Sequence, residues 1–120
     1  MPTTAELEIL RVLWKRGPST VREVQAHLDE SSTGYTTVLK QLQMMLEKGL
    51  VSRDESQRAH VYSARVDQSV TQRRLVDDLI DRAFGGSTNQ LVMRALSSDR
   101  VSADELDAIR DLIDELDDER

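Results

Sequence analysis

The segment from Gly34 to Val51 constrains the fold of this 120-residue chain more than any other. Its apolar side chains recur at helical spacing, at Val38, Leu42, Met45 and Leu46. Gly49 follows as a helix stop, and Leu50 begins a strand-like run. The pattern predicts an amphipathic helix that buries one side in a small core and leaves the other side exposed.

The opposite side of this helix carries side chains suited to contacts with DNA. They are short or flexible, and either uncharged or basic: Thr36, Thr37, Lys40, Gln41, Gln43 and Met44. Side chains of these types contact base edges and phosphates. Acids are absent from this side until Glu47, and an acid placed earlier would be repelled in the negatively charged groove of a duplex. The sequence therefore predicts a recognition helix.

Two further helices are predicted ahead of the recognition helix, and each begins with a capping box. The box residues are Thr3 with Glu6 in the first helix, over residues 3–16, and Thr20 with Glu23 in the second. Gly17-Pro18-Ser19 separates the two helices, and a polar turn from Asp29 to Gly34 leads into the third. The order helix, helix, turn, helix is that of a tri-helical DNA-binding unit.

A β-hairpin is predicted directly after the recognition helix. Two strand-like runs, 50–53 and 59–63, flank the polar segment 54–58. A hairpin in this position forms a wing, and Arg53 and Arg58 lie where they can straddle the DNA backbone. Tyr62 is expected to pack the wing onto the core. Residues 1–65 are therefore predicted to form a winged helix-turn-helix domain of ordinary size.

The net charge of −6 is unevenly distributed, and its distribution bears on DNA binding. Residues 1–65 hold nine Lys or Arg and eight Asp or Glu, whereas residues 66–120 hold seven and fourteen. The net charges of the two halves are therefore +1 and −7. Phosphate binding depends on local charge rather than on the sum over the chain. Because the first half is only weakly basic, useful affinity is expected to require two copies on one DNA site.

Three amphipathic helices are predicted in the second half. They cover residues 67–84, which end at Gly85-Gly86-Ser87, then 88–96, and a last helix opened by a capping box at Ser102 and Glu105. Their apolar stripes contain Val76, Leu79, Ile80, Ala83, Leu91, Val92, Leu106, Ile109, Ile113 and Leu116. Three short helices cannot bury such stripes within about 50 residues. We expect a second copy of the chain to cover them through two-fold contacts; in the alternative, the stripes fold back on the first half.

The sequence therefore predicts a mainly α fold in two parts. Residues 1–65 form an N-terminal winged helix-turn-helix, with three helices and a β-hairpin wing, and residues 66–120 form a C-terminal three-helix dimerisation region. No apolar run approaches the roughly 18 residues of a membrane span, and the N-terminus lacks the pattern of a signal peptide. We expect a soluble, cytoplasmic protein without membrane insertion.

Several kinds of chemistry are excluded by residue content. The chain has no cysteine, which excludes disulfides, thiolate metal sites and cysteine nucleophiles. His27 and His60 are its only histidines, and they lie on separate predicted elements, too few for a typical zinc site. A Gly-rich phosphate loop and a nucleophile elbow are both absent from the sequence. We expect no metal, no cofactor and no enzymatic activity.

Several short strings occur in a fixed order along the chain: Ala5-Glu6-Leu7-Glu8-Ile9-Leu10, Val12-Leu13-Trp14, Val21-Arg22-Glu23-Val24, Tyr35-Thr36-Thr37-Val38 and Lys48-Gly49-Leu50. With the order of elements, they resemble the penicillinase-repressor family of bacterial winged-helix transcriptional regulators, which includes the methicillin-resistance repressor. The resemblance covers nearly the whole chain. It implies a homodimer that binds double-stranded DNA at an inverted-repeat operator and blocks transcription.

The resemblance also implies roles for individual residues. Thr36, Thr37 and Lys40 would lie on the DNA face of the recognition helix. Lys40 and Lys48 would pair with phosphates, while Gln41 and Gln43 can hydrogen-bond to adenine.

This chain departs from the family pattern in three respects. Many family members have an arginine where it has Met44, which implies a missing contact and a different operator. The copper-responsive branch has a C-terminal cysteine cluster, and this chain has no cysteine, which excludes copper sensing by that route. In the β-lactam-responsive branch, a membrane sensor protease triggers cleavage at an Asn-Phe pair. The corresponding residues here are Arg94 and Ala95, and they mark the candidate cleavage site of a sensor-protease pathway.

One competing interpretation assigns the winged helix to protein contacts. The chain would then be a protein-interaction adaptor whose acidic second half is a docking surface. The overall acidity favours this interpretation, and the acid-free side of the recognition helix argues against it. Salt dependence distinguishes the two, because only a DNA-binding protein has duplex affinity to lose as salt rises.

Overall fold

A computed structural model describes residues 1–28 and 33–120, and its elements confirm the mainly helical fold class. In chain order, the described elements are α1 (Thr4–Arg16), β1 (Ser19–Thr20), α2 (Val21–His27), α3 (Tyr35–Lys48), β2 (Val51–Asp54), β3 (Val61–Ala64), α4 (Gln68–Ala83), α5 (Thr88–Leu96) and α6 (Ala103–Asp118). Backbone contacts divide the chain into two compact units, Met1–Leu75 and Val76–Arg120. The border lies within α4, whereas the sequence-based boundary at 65/66 precedes that helix. Of the turn predicted from Asp29 to Gly34, residues 29–32 lie outside the described part.

The helix boundaries follow from capping interactions that the sequence predicted. At the start of α1, the Glu6 backbone N–H donates to Thr3 Oγ1 at 3.2 Å, and Glu6 Oε1 accepts from the Thr3 backbone N–H at 2.8 Å. Equivalent boxes open α2 at Thr20 and α6 at Ser102. Each box satisfies two backbone N–H groups that have no partner within the helix.

The end of α3 is fixed by Gly49. This residue has φ +80°, in the left-handed region, and its backbone N–H donates to the carbonyls of Met45 and Leu46 in the last turn of the helix. Glycine adopts this conformation without the steric cost that a Cβ imposes. The chain then turns directly into β2, as the sequence predicted.

The sheet has the strand order β1-β3-β2, with antiparallel pairing throughout the described residues. Strands β2 and β3 form the predicted wing, with Val51 opposite Ala64 and Asp54 opposite Val61. Both strands begin one or two residues later than the sequence predicted. The interpretation of Ser19 as part of a simple chain break was wrong, because Ser19 and Thr20 form β1. Thr20 is already extended as the N-cap of α2, so it can pair with Val61 at no further conformational cost.

The core of the first unit is built from α1, α2, α3 and the sheet. Its buried apolar side chains are Ile9, Leu10, Leu13, Val21, Val24, Val38, Leu42, Met45, Val51 and Tyr62. Tyr62 is 1% exposed, which confirms that it packs the wing against the core. The Trp14 indole lies at the edge of this core and donates to the Val66 carbonyl at 3.1 Å. The buried side of α3 is therefore held by three other elements.

The second unit contains the end of α4 together with α5 and α6. The glycine pair ends α4 as predicted, and both Gly85 and Gly86 have positive φ. The Gly86 N–H donates to the Ile80 carbonyl at 3.0 Å. Ile80 is the one large apolar residue of this unit that is buried among the described residues. No helix in the described part of the chain is long and apolar enough to cross a membrane.

Candidate nucleic-acid interface

Helix α3 presents its predicted recognition side to solvent. Val38, Leu42 and Met45 are at most 1% exposed, so the apolar side of the helix is buried in the core. The residues predicted for the other side are exposed, apart from a half-buried Gln41: Thr36, Thr37, Lys40, Gln43 and Met44. Rotation of this helix about its own axis is therefore fixed by packing. The side chains that face solvent can reach a ligand without any rearrangement of the core.

The charge along the exposed side of α3 is sparse. The first turn contains no acid, and Lys40 contributes a positive charge near the middle of the helix. Glu47 is exposed in the last turn, in agreement with the predicted position of the acid. The N-terminal turn of a helix also carries a partial positive charge, which favours approach to an anion. The helix is thus compatible with a negatively charged groove but supplies little affinity by itself.

Lys48 has a partner inside the protein. Its Nζ lies 2.8 Å from Glu6 Oε2, and the Glu6 side chain is only 1% exposed. Burial raises the pKa of the Glu6 carboxyl, but hydrogen bonds from Lys48 and the Thr3 backbone outweigh burial and leave that pKa below its ordinary value. The ion pair connects the N-terminus of α1 to the last turn of α3. Lys48 was predicted to pair with phosphates, and the sequence carries no signal for this ion pair because its two residues lie far apart in the chain.

The wing arginines differ in how strongly they are held. Arg53 forms an ion pair with Glu55, and hydrogen bonding with the Tyr62 side chain is the main cause that raises the Arg53 pKa above its ordinary value. The Arg53 Nε is buried and has no hydrogen-bond partner among the residues that the structure describes. Arg58 is exposed on the loop before β3. The two arginines therefore occupy the predicted hairpin, but only Arg53 is fixed by neighbouring side chains that the structure records.

The residues predicted for dimerisation are mostly accessible in the second unit. Val76, Leu79, Val92, Ile113 and Leu116 are each 42–53% exposed, which is unusual for large apolar side chains. Ala83 is exposed, and Leu91, Leu106 and Ile109 are half-buried. Ile80 differs, because it is already buried within the chain at 8% exposure. Sequence reasoning missed Met93 and Leu112, which are 63% and 52% exposed in the same unit.

The remaining candidate residues lie apart from α3. Arg94 and Ala95 are exposed in the last turns of α5. His27, at the end of α2, is exposed, and its Nδ1 lies 2.8 Å from the Glu23 carbonyl. His60 is exposed beside β3 in the wing. In the described part of the chain, no group of three or more His, Cys, Asp or Glu side chains is arranged to hold a metal ion.

The family model for the penicillinase repressor matches residues 2–115. The chain belongs to the penicillinase repressor family. This result confirms the resemblance inferred from the Tyr35-Thr36-Thr37-Val38 string and the accompanying motifs. The family is one of transcriptional repressors, which are not enzymes.

Relatives and a solved structure agree with this membership. The transcriptional regulator BlaI of Mycobacterium tuberculosis is 33% identical, with 92% of this chain and 81% of the relative covered. The penicillinase repressor of Bacillus licheniformis is 27% identical over 92% of this chain and 88% of its own length. The solution structure of the DNA-binding domain of the repressor BlaI is 28% identical and superposes with a TM-score of 0.50, covering 57% of this chain and 85% of that chain. These matches confirm the winged-helix architecture.

Proposed function

We propose that this penicillinase repressor family member is a homodimeric transcriptional repressor that inserts α3 into the major groove of an inverted-repeat operator. The observation that carries the proposal is the orientation of α3. Its apolar side is locked in the core, while Thr36, Thr37, Lys40, Gln43 and Met44 all face solvent. A helix presented in this way by a tri-helical unit is the element that enters the major groove in helix-turn-helix proteins.

The side chains on this face divide into two roles. Lys40 and the threonine hydroxyls can contact phosphates, which fix the position of the protein on the duplex. Gln41 and Gln43 can form paired hydrogen bonds with adenine in the major groove, and Met44 can make apolar contact with a thymine methyl group. A methionine at this position therefore favours an operator with A·T pairs opposite the middle of α3.

Dimerisation is proposed for the second unit because its apolar stripes have no sufficient cover within that unit. Exposed Ile113 and Leu116 lie one turn apart on α6, and Val76 and Leu79 form a similar pair on α4. The second half is strongly acidic, so a dimer held there would keep its interface away from the DNA phosphates. Two linked winged-helix units would then bind two half-sites with a two-fold arrangement.

Release by regulated proteolysis is a further part of the proposal. Arg94 and Ala95 are exposed, so a protease can reach the peptide bond between them once the last turns of α5 unwind. Cleavage there would separate α6 from the rest of the dimerisation unit. Mass spectrometry of the repressor before and after induction tests this step. A fragment ending at Arg94 is expected, and an intact chain in released repressor would contradict it.

Fluorescence anisotropy on labelled duplex tests the DNA-binding function. The duplex comes from the chain's own upstream region, and a scrambled duplex of the same composition is the control, each measured across a salt series. The proposal requires tighter binding to the native duplex and a steep loss of affinity as salt rises. Absence of binding to either duplex at low salt would favour the protein-interaction adaptor, with the acidic second half as its docking surface.

A further inference from the structure

Cations on the proposed DNA-binding surface are scarce, because several of them already have partners. Lys48 pairs with Glu6 at 2.8 Å, and Arg53 pairs with Glu55. Lys40 shares the exposed side of α3 with Glu47. Neutralisation of phosphates supplies nearly all of the non-specific affinity of a protein for duplex DNA and a large share of its specific affinity. A winged-helix unit with this charge distribution therefore needs further cations close to α3.

A groove along one flank of α3 supplies such cations. It lies where α2, α3 and the wing meet, and it has a volume of about 200 Å³. The side chains that matter for its chemistry are Arg22, Tyr35, Leu39, Arg58, His60 and Tyr62. Among the described residues that line the groove, none is an acid. The groove is therefore a concave surface with two arginines, one histidine and an aromatic wall.

Arg22 is placed to bind an anion through the edge of its guanidinium group. Its Cζ lies 5.2 Å from the centroid of the Tyr35 ring, within the range of a cation–π contact. A cation–π contact leaves N–H donors along the edge of the guanidinium group available. That edge matches two phosphate oxygens at once, which a lysine ammonium cannot do.

The groove is continuous with the recognition side of α3. Tyr35 directly precedes Thr36 in the helix, and Leu39 directly precedes Lys40. On the other wall, Arg58 and His60 belong to the wing, the element that flanks the duplex in a winged helix. A DNA strand that passes beside α3 toward the wing would therefore cross this groove.

We propose that the groove binds a backbone phosphate of the operator, with Arg22 as its bidentate donor and with Arg58 and His60 completing the contact from the wing. Arg22 lies outside the recognition helix and carries no base-reading role in this arrangement. The inference rests on the proposed function. It assigns to Arg22 a phosphate contact that Lys48 and Arg53 do not supply, because these two residues pair with Glu6 and Glu55.

The salt dependence of duplex binding tests this inference. Arg22→Gln removes one phosphate contact per protomer, so the slope of log affinity against log salt should decrease by about 1 for each bound protomer. Arg11→Gln is the matched control, since Arg11 is exposed on α1 and lines a different cavity. Arg22→Lys keeps the charge but loses the paired N–H donors of the guanidinium group, so it should weaken binding while retaining most of the wild-type salt slope.

The outcomes separate this inference from the proposed function. If wild type prefers the native duplex and Arg22→Gln has the same slope as Arg11→Gln, the phosphate site is wrong while the repressor function stands. If wild type does not prefer the native duplex, the proposed repressor function itself is contradicted. Inorganic phosphate at constant ionic strength should weaken duplex binding by wild type more than by Arg22→Gln, because both anions compete for the groove. Phosphate that binds wild type but not Arg22→Gln and leaves duplex affinity unchanged would assign the groove to a free anion and overturn the proposal.

Discussion

Glu6 serves two roles within one side chain. It closes the capping box of α1, and it holds Lys48 at the end of α3 while being almost completely buried. Half of the Lys48 side chain remains in solvent, so the ion pair is partly screened and its net contribution is modest. The sequence predicted the first role because the Thr3 partner is local. The second role depends on tertiary packing, and no short-range sequence pattern predicts it.

Glu6→Gln tests the charge of this residue without removing its cap, because an amide oxygen can still accept from the Thr3 backbone. The Glu6 pKa lies below its ordinary value of 4.5, so the charge stabilises the fold above that pH, and this stabilisation is lost as pH falls through the lowered pKa. We expect a loss of about 1 kcal/mol in the free energy of unfolding at pH 7. Urea unfolding at several pH values measures it.

The control for this substitution is Glu8→Gln, which removes an exposed acid from the same helix. It should change the stability little at any pH. A gap between wild type and Glu6→Gln that is as large at pH 3 as at pH 7 would show that side-chain packing, and not charge, accounts for the effect.

Arg53 offers a second test at the level of one residue. Its ion pair with Glu55 competes with phosphate for the same guanidinium group. Glu55→Gln should therefore tighten duplex binding by roughly threefold at low salt and steepen the salt slope. Asp54→Asn removes an equal charge from the same wing, but Asp54 accepts from the Ser56 N–H rather than from Arg53. Equal tightening of duplex binding by both variants would show that the loss of one negative charge, and not the release of Arg53, causes the effect.

At the scale of elements, local signals account for most of what the sequence predicted. Capping boxes and the Gly49 stop involve residues within four positions, so the helices began and ended close to where expected. Strand β1 was missed because it has only two residues and exists through pairing with β3, a long-range contact. The groove containing Arg22 was missed for the same reason, since α2 and the wing meet only in the folded chain.

Gly49 tests the junction between α3 and β2. Its φ of +80° is costly for alanine, while no neighbouring atom lies within 4 Å of the position that an alanine Cβ would take, so any penalty is conformational. Gly49→Ala should lower the free energy of unfolding by about 1–2 kcal/mol. Gly49→Asn should recover a large part of that loss, because asparagine tolerates the left-handed region. Similar losses for both variants in urea unfolding would contradict this explanation.

At the scale of the whole molecule, the two halves of the chain differ in charge and in exposed apolar surface. Residues 1–65 contain α3 and carry a net charge of +1, while residues 66–120 carry −7 and the exposed apolar stripes. The sequence showed this division through its charge asymmetry and its apolar periodicity. It gave no measure of how much of each stripe is covered within one chain; the structure shows Ile80 buried and Ile113 half exposed.

Ile113→Asp tests the proposed dimer. A charge placed on the apolar stripe of α6 would have to be desolvated in a dimer interface, so the protein should become monomeric at micromolar concentration. Operator affinity should fall by at least about 100-fold, because each half-site would then be bound independently. Light scattering after size exclusion measures the mass. Ala108→Asp adds the same charge at another exposed position on α6 and should leave a dimer.

The exposed side of α3 is proposed to bind operator DNA, and Lys40→Glu places a negative charge on that side. Anisotropy on the native duplex should show a loss of at least about 100-fold in affinity, because a negative charge would then face the phosphates. The mass of the protein in light scattering should be unchanged. Lys15→Glu makes the same charge reversal on the exposed part of α1 and should cost only a few-fold. Equal losses for the two variants, or unchanged binding by Lys40→Glu, would contradict the placement of α3 in the operator.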